Sequence, residues 1–393
     1  MKVTFPAMEG QIGQRTYYSC LMKLNAVPKM FTFRDWAEFT AEDREQRILN
    51  KKRVPDIAKY ILDNEDGYLF ASITASYKNK ADFKPVEPGS TLGQLEMEFE
   101  DANFVINDGQ HRCAAITAAI KDNPALGEET ISVLLFPYES KERVQQMFSD
   151  LNRFVVKTSK SLDILFDKRD VLSLVTIDAA ERVPEFKNMV DKDAVSLPVR
   201  SPKLFSLSAL YDANDELLKH VRVSSQPSHE EMVRLAVEFW TEVAKAVPAW
   251  TNVKNGDLKA LELRQESISS HAVVLRALGA IGADLIKEEP ENWKSRLMEL
   301  ASVDWSKKNK DWENVCIIAN SVVSNRQARL ATKAYLKRHL RMDLNEAEER
   351  ALTPSQPEAN AEVTKIVGLV EKMTPAEQAN FLVKAKQMSD KVV

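Results

Sequence analysis

Phe104-Val105-Ile106-Asn107-Asp108-Gly109-Gln110-His111-Arg112 is the stretch on which the fold turns, because an apolar run breaks into Asp-Gly and passes at once into a helix-like pattern. Phe104 to Ile106 reads as a short buried strand, Asp108-Gly109 as a turn, and Cys113, Ile116, Thr117 and Ile120 recur on one helix face. Without a Cβ, Gly109 can take positive φ and let another group's oxygens approach the backbone, while the first N–H groups of the helix point toward that group. A phosphate placed there would feel the helix dipole and could be held bidentately by Arg112. His111 could position such a group, donate a proton to it, or simply pack. Strand, Asp-Gly turn and helix is also a common way to reverse a chain. Two features favour a site over a bare turn. Glycine is scarce, 11 of 393 residues against a usual ~7%, and the polar run from Asn107 to Arg112 sits between two strongly apolar segments.

The order Asp108-Gly109-Gln110-His111-Arg112 resembles the defining motif of the DGQHR-domain proteins, and the resemblance extends to the DndB branch, the regulatory component of DNA phosphorothioate (sulfur) modification systems. It is carried further by Gly13-Gln14-Arg15-Thr16-Tyr17-Tyr18, by Arg53-Val54-Pro55-Asp56-Ile57-Ala58-Lys59-Tyr60-Ile61, and by Phe148-Ser149-Asp150-Leu151-Asn152. The likeness is strongest before residue 165 and looser to about residue 340. The family is similar to the ParB and sulfiredoxin superfamily, whose equivalent strand-turn-helix cradles nucleotide phosphates. By that resemblance Gly109, Gln110, His111, Arg112 and Arg153 would contact the phosphates of ATP or another nucleoside triphosphate. Asp150 and Asn152 would be candidate Mg²⁺ or polar ligands. ParB proteins carry Glu-Asn where this chain has Asp-Leu-Asn, and on sequence alone the favoured reading is that Asp150 and Asn152 simply cap and turn the chain.

Asp108 is a candidate general base or metal ligand, with His111 as the second candidate catalytic group; an Asp before Gly also commonly bonds the turn's own backbone. Neither a GxSxG elbow nor a Walker A sequence occurs. The three cysteines, Cys20, Cys113 and Cys316, are widely spaced and odd in number, which suits a reducing cytoplasm and argues against a disulfide framework. No Cys/His cluster has zinc spacing. Cys113 falls on the inward helix face as a small core residue, whereas Cys20 could be exposed and reactive.

With 44% hydrophobic and 28% charged residues the composition is that of an ordinary globular protein. A net charge of −4 means that no global basic field draws it to nucleic acid, so any contact with double-stranded DNA must come from local patches. The N-terminus lacks the apolar core of a signal peptide, and no window approaches a membrane span. A cytoplasmic location is expected.

The pattern divides the chain into an α/β (α+β) domain at 1–165, ParB-like by the resemblance, an all-α domain at 166–344, an acidic linker at 345–360 and a helical tail at 361–393. In the first domain, helices are expected over Ala41–Leu49 and Pro55–Asn64, and a strand over Tyr68–Ala75. Leu95–Phe99 and Phe104–Ile106 are expected to pair as a hairpin, and Ile131–Phe136 to form a buried central strand. A helix should end near Phe148, and in the second domain 3-4 periodicity covers Glu230–Ala246 and Leu258–Lys287. Gly279 and Gly282 inside the latter mark close helix contact or a break. The tail could mediate self-association into a homo-oligomer or dock on the body.

Arg326, Arg329, Lys333, Lys337 and Arg341 recur every three or four residues, with Arg338 nearby and no acidic residue between 326 and 341. Such a run is usually a solvated face, but in an acidic chain it is the best place for DNA phosphates. Three functions follow. The first is a DNA-binding transcriptional regulator of the modification genes with a nucleotide site at the motif. The second is a metal-dependent DNA nuclease or nucleotide hydrolase, which leaves ATPase or DNA-nicking activity open. The third is a structural adaptor of a modification or defence complex.

Overall fold

The strands of the first unit are built from β-branched and aromatic residues whose sidedness sets their place in one mixed sheet. The computed structural model describes residues 2–31, 51–78, 80–98, 104–153, 158–224 and 227–352. Among these residues the sheet has seven strands: β1 (Lys2–Ile12), β2 (Arg15–Lys23), β3 (Ile73–Tyr77), β4 (Ala81–Pro85), β5 (Leu92–Glu98), β6 (Phe104–Asp108) and β7 (Thr130–Pro137). Their order is β4-β5-β1-β2-β7-β3-β6, with β3 and β7 parallel and the remaining pairs antiparallel. β7 lies in the sheet interior, as its apolar run predicts. Helices α1 (Val27–Met30), α2 (Val54–Asp63), α3 (Gln110–Asp122) and α4 (Lys141–Arg153) complete the unit.

Two expectations fail here. β5 pairs with β4 and β1, while β6 lies at the far edge beside β3, so the expected hairpin does not form. The burial patterns explain it: β5 alternates exposed and buried positions, whereas β6 is buried from Phe104 to Asn107. The strand expected over Tyr68–Ala75 begins only at Ile73. The helix expected at Ala41–Leu49 lies outside the described residues, as does the tail from 361 onward.

The second unit begins after residue 157. It comprises α5 (Lys160–Phe166), α6 (Val171–Arg182), α7 (Leu207–Ser224), α8 (His229–Ala246), α9 (Pro248–Asn255), α10 (Ala260–Glu266), α11 (Ala272–Glu288), α12 (Trp293–Leu297), α13 (Arg326–His339) and α14 (Glu346–Leu352). Two short strand pairs interrupt them, β8 (Val190–Asp191) with β9 (Phe205–Ser206), and β10 (Ile317–Ile318) with β11 (Ser321–Val322). The unit is thus predominantly helical rather than all-α.

α8 starts with a capping box, Ser228 and Glu231 each satisfying the other's backbone N–H. Buried Asn214 accepts from Trp240 Nε1 at 2.7 Å and donates to Thr176 Oγ1 at 3.1 Å, tying α7 to α8 and α6. A buried amide fully paired in this way fixes which helices meet. The single helix expected over Leu258–Lys287 is split. The Ser267 hydroxyl accepts the Ser269 N–H and donates toward Trp305 O and Ser269 Oγ, so side chains take over backbone bonding between α10 and α11. Gly279 and Gly282 lie within an unbroken α11 and mark close approach, not a break. Glu346–Leu352, expected in the linker, is helical because Glu348 turns inward onto lysines of α13.

Candidate functional site

β6 must turn sharply to feed α3, and Gly109 makes this possible with φ 105° and ψ 13°. A Cβ there would sit 3.2 Å from Ile73 Cγ1 and 3.3 Å from the Arg112 guanidinium. Gly109→Ala is expected to cost roughly 1–2 kcal/mol from the left-handed conformation alone, read as a lower unfolding free energy in urea. A variant as stable as the parent would show that the turn does not require this geometry. The first N–H groups of α3 have no acceptor within the helix, and no acidic residue occupies its first turn.

The residues around Gly109 do not all face outward. Gln110 is buried, and its Nε2 donates to Ile106 O at 3.0 Å, clasping the end of β6 rather than presenting itself to a ligand. Arg112 is engaged on both sides. Its Nη1 donates to Ala71 O at 2.7 Å, and its Nη2 pairs with Asp108 Oδ2. The expected phosphate clamp is therefore a brace between the strand end and the segment before β3, with Asp108 as its counter-ion. His111 stands half-buried in the first turn beside it. Sequence reasoning missed Asn107, which is fully buried, accepts from Ser76 Oγ at 3.0 Å and directs its Nδ2 to Met147 Sδ at 3.8 Å, anchoring α4 to β6. Its place within a polar run between apolar segments was the available signal.

α4 does not end near Phe148 but runs through Arg153. Asp150 accepts from Gln146 Nε2 at 2.7 Å, and Asn152 donates to Phe148 O at 2.8 Å. Two residues apart on a helix, they project ~200° from each other, so they diverge rather than converge on one ion. Arg153 closes the helix at an exposed position. Among the described residues no group of three or more His, Cys, Asp or Glu is arranged to hold a metal.

The basic stripe is likewise divided. Lys333 Nζ lies 2.8 Å from Asp284 Oδ2 and 3.0 Å from Glu348 Oε1, and Lys337 Nζ lies 3.1 Å from Glu348 Oε2. The Lys337 and Glu348 side chains are only 7% and 1% exposed, so these two lysines neutralise the buried Glu348 and the half-buried Asp284 rather than forming a solvated basic face. Arg326, Arg338 and Arg341 remain exposed, and Arg329 is half-buried. Lys51, Lys52 and Arg53, exposed ahead of α2, form a basic run that the helical reading of the following residues obscured.

All three cysteines are buried. Burial pushes the Cys20 and Cys113 thiols up to about 12, which corrects the expectation that Cys20 is reactive, since the thiolate is the nucleophile.

The sequence model of one protein family, DndB, described as DNA-sulfur modification-associated, matches residues 5–343. The chain belongs to the DndB family. No curated protein and no solved structure matches it. Family membership links the DndB chain to DNA sulfur modification, and the site residues bear on how it acts there. Among its described residues no helix is long and apolar enough to cross a membrane.

Proposed function

We propose that this DndB-family chain is a DNA-binding transcriptional regulator of the phosphorothioate modification genes, with a ParB-like first unit whose Gly109 corner receives nucleotide phosphates. The observation that supports the corner is the left-handed glycine opening an uncapped α3 of 13 residues, an arrangement suited to anions. In this reading main-chain N–H groups and His111 meet the phosphates, and Arg112 holds the turn from behind. Asp150 and Asn152 diverge, so they do not fit as a shared Mg²⁺ pair and the reading uses no protein-bound metal. The nuclease and hydrolase reading is less well supported, because the Asp108 carboxylate is already engaged by Arg112.

DNA contact falls to Arg326, Arg338 and Arg341. The test is fluorescence anisotropy on the modification-operon promoter and on unrelated DNA, across a salt series, with and without ATP and Mg²⁺. The promoter should bind more tightly, and ATP should shift its affinity. Changing the three arginines to alanine should reduce the slope of log affinity against log salt by about 3, one ~0.9 step for each lost phosphate contact. Equal binding to both DNAs would overturn the regulator, indifference to ATP would remove the nucleotide, and an unchanged slope would remove the three arginines as DNA contacts.

A further inference from the structure

β10 and β11 make a short ribbon that ends three residues before α13, in a stretch whose charge differs from the rest of the chain. Acids make up 58 of the 393 residues, yet none lies between Asn314 and Met342. Glu313, just ahead of this stretch, bridges to Ile317 at the base of the ribbon and not at its tip. The base is firmly anchored. Cys316 is fully buried, Ile317 is 8% exposed, Cys316 O accepts the Val323 N–H at 2.9 Å, and Val322 and Val323 pack on the core. By contrast every residue from Ile318 to Ser321 is exposed.

Ile318 faces Ser321 across the ribbon, so Ala319-Asn320 alone makes the turn, with φ 48° and 62°. Two left-handed residues match the twist of a two-residue hairpin, and glycine is the residue that takes this conformation without a clash. This chain keeps side chains there instead, and backbone strain of that kind concentrates where a surface meets a ligand. The groups on display suit base edges. Asn320, Ser321 and Gln327 are exposed and bring amides and a hydroxyl that both donate and accept, Arg326 is exposed at the start of α13, and Ile318 is 46% exposed. An asparagine amide matches the donor and acceptor of adenine, and an aliphatic group matches the thymine methyl. Six residues separate Asn320 from Arg326 in the chain, a span of at most about 20 Å, so the tip and the helix start fall within one ~34 Å turn of duplex DNA.

We propose that the β10–β11 ribbon enters the major groove of duplex DNA, which is wide enough for two strands, and reads adenine through Asn320 while Arg326 holds the adjoining phosphate. This rests on the DNA-binding reading above and divides its labour. The arginines supply affinity, which carries no sequence information, and the ribbon tip supplies the preference for one sequence over another.

Anisotropy of the full chain on the modification-operon promoter and on unrelated DNA tests it, with the double variant Ala319→Gly, Asn320→Gly, which keeps the turn and removes both side chains. The variant should melt close to the parent and keep the parent's affinity and salt slope on unrelated DNA. Its promoter preference should fall at least fivefold, the low end of the roughly 5- to 150-fold that one bidentate base contact supplies. Promoter DNA carrying 7-deazaadenine, which lacks the N7 acceptor of the major groove, should bind the parent at least fivefold more weakly and the variant no differently. A parent that binds both DNAs alike overturns the regulator and the ribbon together. A parent that discriminates, beside a glycine variant that discriminates as well, overturns the ribbon alone, and so does indifference to 7-deazaadenine. Equal loss on both DNAs would make the tip a phosphate contact and overturn base reading.

Discussion

Glu348→Ala is expected to lower the unfolding free energy by about 3–5 kcal/mol, the usual cost of removing one partner from a buried ion pair. The carboxylate is 1% exposed and lies 3.0 Å from Lys333 and 3.1 Å from Lys337, and it also accepts Asn345 N–H at 3.0 Å. Without it two lysines share the single carboxylate of Asp284, and the Asn345 N–H loses its acceptor, although Asn345 Oδ1 still caps Ala347 N and Glu348 N at the start of α14. Urea unfolding of the two proteins gives the difference directly, and a loss below 1 kcal/mol would show that the cluster is solvated. The pH dependence has a definite sign. Burial pushes the Glu348 carboxyl upward, but the Asn345 N–H and the two lysines together outweigh it and hold the group below its usual value. Its folded value being depressed, its stabilisation is complete above the ordinary carboxylate range and is lost as pH falls through the folded value. The parent should therefore lose stability on acidification more steeply than Glu348→Gln.

Gly279→Ala should cost about 3 kcal/mol, although the same change in an exposed helix gains about 1 kcal/mol. A Cβ at this position would stand 2.1 Å from Ala213 O and 3.0 Å from Ala213 C. Those are backbone atoms of α7 and cannot rotate aside. α7 and α11 would have to separate along a contact that also holds Leu210, Leu217, Leu275 and Leu278 in the core. A Cβ on Gly282 would stand 2.3 Å from Phe239 Cε2, on a side chain with more freedom to adjust, so Gly282→Ala should cost less. Calorimetric melting of both variants ranks them, and a neutral Gly279→Ala would mean that the helices are not in register at this crossing.

The local features of this chain were legible and the pairwise ones were not. Glycine scarcity and the break from apolar to polar marked the Gly109 turn, and the run at Ile131 marked an interior strand. Each depends on residues adjacent in sequence. The partner of β6 depends on which strand reaches it through space, and the edge position beside β3 leaves no mark in Phe104–Asn107. The Lys333 and Lys337 face looked solvated because the acids that bury it come from elsewhere, Asp284 on α11 and Glu348 on α14. Asp108 and Arg112 are spaced i, i+4, the ordinary spacing of a helical ion pair. That pairing was readable at once, and it was hidden only by treating the arginine as a ligand group.

The brace formed by Arg112 changes how the motif must be studied. Because this side chain joins the Ala71 carbonyl to Asp108 across the corner, replacing it loosens the scaffold in the same stroke as it deletes a cation. A genetic survey would score such alleles as inactive and credit the arginine with chemistry, when the first casualty is the shape of the corner itself. Lysine, which keeps the charge but not the planar two-sided reach, is the allele that separates the two effects.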